Sequence, residues 1–76
     1  MPTLLNFDGF KFFFYANDHP PAHVHVLKGD GWAKIDLECL KVVSSSLKPA
    51  ELKKAVDTVA LHQVEFMEKW HEWFSR

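Results

Sequence analysis

His23-Val24-His25-Val26-Leu27-Lys28 and Trp32-Ala33-Lys34-Ile35-Asp36-Leu37-Glu38-Cys39 both alternate polar with apolar residues, and Asp30-Gly31 separates them. Successive side chains of a strand point to opposite faces, so this period of two predicts a half-buried hairpin turning at Asp30-Gly31. That turn sets His25 opposite Asp36 and His23 opposite Glu38, while Val26 meets Ile35 and Val24 meets Leu37. One face is then aliphatic and ends in Cys39, read as a small buried hydrophobe. The other holds two imidazoles and two carboxylates. A turn at Gly29-Asp30 instead pairs His25 with Lys34 and His23 with Asp36, yet keeps the same sidedness. A three-residue loop would break the pattern by placing His25 against Ile35.

Toward the N-terminus a second Asp-Gly, Asp8-Gly9, lies between the apolar runs Pro2 to Phe7 and Phe10 to Ala16. It predicts another two-residue hairpin. In its register Thr3, Leu5, Phe7, Phe10, Phe12 and Phe14 share the core face, and Pro2, Leu4, Asn6, Lys11, Phe13 and Tyr15 share the other. Asn17 to Ala22 is turn-rich, and Pro20-Pro21 makes it extended. Lys41 to Leu47 adds a short edge strand. After Pro49 no Gly or Pro occurs. A helical stripe there runs through Leu52, Val56, Val59, Ala60, Phe66, Met67, Trp70, Trp73 and Phe74. Unbroken, such a helix would be about 39 Å long, more than short strands can cover, so it bends or its Trp-rich end meets something else. Gln63 falls in the stripe and must bond to sheet backbone or mark where the helix leaves the core. The expected architecture is α+β: an antiparallel sheet of four or five strands, from two hairpins in residues 1–47, packed by a long C-terminal helix over 48–75. All 76 residues form one domain.

Composition agrees. With 47% hydrophobic and 25% charged residues the chain is globular rather than disordered or membrane-spanning, and 14% aromatic residues supply a core without a disulfide. The single Cys39 cannot form an internal bridge, and no secretory signal is read ahead of the first strand, so the expected location is the cytoplasm. A formal net charge of −1 with interleaved signs argues against nucleic-acid or membrane binding by bulk charge, though not against a local patch.

Two His one residue apart on a strand project to the same side, the spacing for ligating one metal or dividing acid and base roles. His23 and His25 are therefore candidate catalytic residues, with Asp36 and Glu38 orienting them, and candidate ligands of a divalent metal ion. The same pattern also fits a solvated strand face whose cross-strand pairs contribute about 0.2–1 kcal/mol each. His19 in the loop and His62 at the edge of the helix stripe are candidates to complete the constellation. Tyr15 and Trp32, with Phe13, flank the His face, where rings beside His and Lys suit stacking on a base or sugar. Such rings serve equally as core or as an oligomer contact.

Met1-Pro2-Thr3, Phe14-Tyr15-Ala16-Asn17-Asp18-His19, the Pro-rich turn into His23-Val24-His25-Val26, Ile35-Asp36-Leu37 and Leu61-His62 together resemble the small bacterial proteins of domain-of-unknown-function family 4160. The resemblance covers nearly the whole chain and centres on a His-x-x-Pro-His-x-His-Val motif. Here Ala22 stands where the family usually has its second Pro, and Leu27 stands where a basic residue is common, which weakens a phosphate contact from that strand. The resemblance implies no reaction, only an association with modules of toxin–antitoxin type, and it marks His19, His23, His25 and Asp36 as the functional-looking positions. Three readings stay open: an interaction module binding another small bacterial protein or itself through Trp70, Trp73 and Phe74; a hydrolase or nuclease-like enzyme using His23 and His25; and a metal-binding protein.

Overall fold

The computed structural model describes residues 3–74. Strands β1 (Thr3–Phe7), β2 (Phe10–Phe13), β3 (His23–Lys28), β4 (Gly31–Asp36) and β5 (Val42–Ser45) form one antiparallel sheet in chain order. Helices α1 (Pro49–Leu61) and α2 (Gln63–Phe74) follow, giving the α+β class expected. No helix is long and apolar enough to cross a membrane among the described residues.

Both hairpins close on two residues, but the second does so one position earlier than Asp30-Gly31. Phe7 pairs with Phe10 around Asp8 and Gly9, which both take positive φ (54° and 82°), as a type I′ turn requires. In the second hairpin Lys28 pairs with Gly31, and Gly29 supplies the positive φ of 57°. A turn at Asp30-Gly31 would put Asp30 in that region, as Asp8 is in the first hairpin, whereas the observed turn puts a glycine there. Gly31 has its own reason to be glycine, since a Cβ there would come within 2.6 Å of Leu47 Cδ2. The shift pairs His23 with Asp36 and His25 with Lys34.

Phe10, Phe12, Val24, Val26, Ala33 and Ile35 of the sheet pack with Ala55, Val59, Phe66 and Trp70 of the helices into one buried cluster. The first hairpin departs from its expected faces at both ends. A register shift between Thr3 and Leu5 lets Leu4 and Leu5 both pack on the core, and Phe7, out on the edge strand, is exposed. Phe13, on the face away from the helices, is only 1% exposed, because Tyr15 and His25 cover it. Strand β4 stops before Cys39. Asp36 Oδ1 accepts the amides of Glu38 (2.7 Å) and Cys39 (3.1 Å), bending the chain into a turn that leaves Cys39 exposed rather than buried.

The helical stretch breaks at His62, where the backbone reaches φ −107° and ψ 16°. Its N–H is shared between Thr58 O and Val59 O, its Nδ1 bonds Thr58 O at 3.0 Å, and its ring stacks on Phe66. The bend keeps both halves against strands of only four to six residues. Ala60, expected on the stripe, is exposed. Trp70, expected at an oligomer contact, is buried at 4% exposure within this chain.

Gln63 stands at the break, and its Nε2 donates to Leu37 O at 2.7 Å and to Glu38 O at 3.3 Å. It thus ties the start of α2 to the turn after β4. Gln63→Ala, which removes both bonds, is expected to cost about 1 kcal/mol in urea unfolding. No measurable loss would show that the break is held by packing alone.

Candidate functional site

Residues 14–22 leave β2 and fold back over the start of β3. Tyr15 O accepts the Asp18 N–H at 3.2 Å, and Asp18 Oδ2 accepts the Tyr15 N–H at 2.9 Å, so the turn is closed in both directions. Asp18 Oδ1 is thereby aimed at β3. It lies 3.1 Å from His25 Nε2 and 3.2 Å from His23 Nε2. The three side chains are largely shielded, at 11%, 7% and 18% exposure for Asp18, His23 and His25.

Both imidazoles are held in place by their neighbours. His23 Nδ1 lies 2.8 Å from Pro21 O. A carbonyl only accepts, so Nδ1 carries the proton, and in the neutral ring Nε2 is a bare lone pair facing the Asp18 oxygen. The His23 ring packs against Trp70 at 5.2 Å. His25 stacks on Phe13 at 5.6 Å and meets Tyr15 edge-on at 4.5 Å, and the two imidazoles are perpendicular at 5.0 Å. The expectation of an open imidazole face is thus corrected for His23, which α2 and the loop cover.

Burial pushes the Asp18 carboxyl up, but the Tyr15 amide, the His25 hydrogen bond and the two nearby imidazoles outweigh it and hold it below its usual value. Burial also depresses His25, helped by His23 and Lys34 and opposed by Asp18. In metal-free protein the NMR titration midpoint of His25 is therefore expected below the ordinary 6.5. Between that midpoint and 6.5 the unfolded chain takes a proton that the folded one refuses, so stability falls as pH is lowered through this window. A midpoint above 6.5 would show that the Asp18 bond dominates.

The other candidates are placed variously. Asp36 is opposite His23 in register and shares its cleft, but its Oδ1 serves the Glu38 and Cys39 amides. Those bonds, the Cys39 amide foremost, hold its carboxyl below the usual range. Glu38 lies beyond β4 in the turn, exposed and away from its expected position opposite His23. His62 is engaged at the helix break with Thr58 and Phe66. His19 is exposed on the wall of the cleft, and Trp32 pairs with Leu27 nearer the hairpin tip. The residue that the spacing analysis missed is Asp18. Its signal is a carboxylate in the turn-rich loop ahead of His-x-His, but nothing in linear spacing says that the loop doubles back.

A cleft of about 530 Å³ opens beside the cluster, walled by Asp18, His19, His23, Lys34, Asp36 and Val43 among others. Asp18, His23 and His25 offer three ligand atoms lying within 4.8 Å of one another, the one such group among the described residues. Tetrahedral bonds of 2.0–2.1 Å put neighbouring ligand atoms about 3.3 Å apart, close to both N–O separations.

The fold and site define a small α+β protein with a two-histidine, one-carboxylate cluster at a cleft. The model of the family described as Domain of unknown function (DUF4160) matches residues 9–71, and the chain belongs to that family. The match contains the whole cluster and both helices up to His71. No curated protein and no solved structure shows a significant match.

Proposed function

We propose that the chain is a divalent-metal protein in which Asp18 Oδ1, His23 Nε2 and His25 Nε2 bind a zinc-like ion, with one position open to the cleft. The observation that supports this most is the contact of His23 with Asp18. With Nδ1 donating to Pro21 O, a neutral His23 sets a lone pair 3.2 Å from a carboxylate oxygen. Only a proton or a cation between them relieves that repulsion. A backbone carbonyl holding the far nitrogen of a ligating imidazole is also how proteins fix the tautomer for a metal. Three protein ligands and an open position form the arrangement of catalytic rather than structural zinc.

The chemistry such a centre supplies is activation of water for hydrolysis. Asp18, His23 and His25 would hold the ion, which would supply a more acidic water for attack on carbon or phosphorus. Asp36, with its carboxylate tied to two amides, stands by the cleft as a fixed negative charge.

Titrating zinc into chelator-treated protein tests the reading. One equivalent is expected to shift the ring signals of His23 and His25 together, leaving those of His62 and His71 in place, and cobalt is expected to give the visible bands of a four-coordinate site. If the ring signals are unmoved at one equivalent and the His23 ring is doubly protonated at neutral pH, a proton fills the gap and the metal reading fails.

A further inference from the structure

The sheet face turned away from the helices carries a second set of side chains in register with the cluster. Lys11 pairs with Leu27 and Leu27 with Trp32, while Phe13 pairs with His25 and His25 with Lys34. Residues two apart on a strand share a face at a spacing of about 6.7 Å, so Trp32 stands one such step along β4 from Lys34. The rings of this face divide sharply. Phe13 is 1% exposed, whereas Tyr15, edge-on to His25, and Trp32 are 44% and 45% exposed. Lys34 is on the cleft wall, and neither it nor Lys11 has a carboxylate partner among the described residues.

Two half-open rings on either side of an imidazole, with two ammonium groups on the same face that form no ion pair, match a ligand having flat aromatic faces and negative charge, the Asp36 carboxylate on the cleft wall being tied to two amides. Beside the proposed metal site, and without needing the ion, we propose that this sheet face takes single-stranded nucleic acid, whose backbone reaches the cleft at Lys34. One base stacks on Trp32, another base of the same strand on Tyr15, and a phosphate oxygen meets Lys34 at the cleft wall. Stacking needs unpaired bases, because a duplex hides their faces. It is also sequence-tolerant, since every base has such a face. The formal charge of −1 does not oppose this, because the contact is local and involves two lysines.

Anisotropy of a fluorescently labelled ten-nucleotide oligo(dT) and oligo(U), with and without zinc, tests the proposal. Binding is expected for both single strands and not for the corresponding duplex. Trp32→Ala is expected to weaken it about 5- to 150-fold, the worth of one stacked base. Two phosphate contacts give a log–log salt slope of about −1.4, which Lys34→Gln should reduce by about 0.7. Unchanged zinc uptake by both variants would show that they fold. Trp32-dependent binding is expected in chelator too, so the two readings fail separately: zinc uptake without oligonucleotide binding overturns this proposal alone. Equal binding of duplex and single strand, or binding that Trp32→Ala leaves intact, overturns it as well.

Discussion

Asp18→Asn is expected to lower zinc affinity by more than about 100-fold while leaving the metal-free fold in place. The size follows from position. Groups that merely orient a metal ligand typically cost 10- to 100-fold when removed, and Asp18 Oδ1 is itself the atom between both imidazoles. An amide keeps the shape and still offers one oxygen to the Tyr15 N–H, now bonded by Asp18 Oδ2 at 2.9 Å. It brings no negative charge to a divalent ion. Calorimetric titration measures the loss directly. The thermal midpoint gives a second reading: zinc at about 100 times its dissociation constant stabilises the wild type by about 2.7 kcal/mol, and that increment should vanish in the variant. Equal zinc affinity in wild type and Asp18→Asn would remove the carboxylate from the site. Loss of the folded state without metal would assign Asp18 to the turn instead.

Much of the fold is legible in the chain because its signals are local. Asp8-Gly9 defines the first hairpin, since both turn residues must accept positive φ and these two do so. The alternation across β3 and β4 specifies which residues face inward whichever of the two tight turns is formed. What the alternation leaves undetermined is the partner. Gly29-Asp30-Gly31 offers two possible turns, and the selection rests on the φ of Gly29 and on the packing of Gly31 against Leu47, a residue 16 positions away. The site is legible by half for the same reason. His23 and His25 share a face by period alone, but the third member comes from a loop that folds back through the paired bonds of Tyr15 and Asp18. Glu38 illustrates the reverse error. A turn at Asp30-Gly31 puts it opposite His23, whereas the turn at Gly29-Asp30 gives that place to Asp36, which bonds the turn amides and ends the strand. The bend at His62 is foreshadowed by helix length and by Gln63, a polar side chain in an apolar stripe, which finds its partners in the backbone of that turn.

Trp70→Ala is expected to cost about 3–5 kcal/mol, the usual loss when a large buried aromatic is truncated. For a chain of 76 residues the total stability is of order 4–11 kcal/mol, so a large part of it depends on this one ring. The contacts explain why. Trp70 is 4% exposed and meets Phe14 edge-on at 5.2 Å, Phe74 at 4.2 Å and His23 at 5.2 Å. It therefore joins the helical layer, the segment leaving β2 and the first imidazole of the cluster. Trp70→Phe, which keeps an aromatic ring there, should lose much less. Urea unfolding measures both. On the metal reading zinc would join Asp18 to β3 and fasten the same loop from its other side, so zinc should restore part of the lost stability in Trp70→Ala. A loss below about 1 kcal/mol would mean that the loop and the cluster are held without the helix. A full loss that zinc leaves untouched would separate the packing of Trp70 from the proposed metal site, whose His23 it touches.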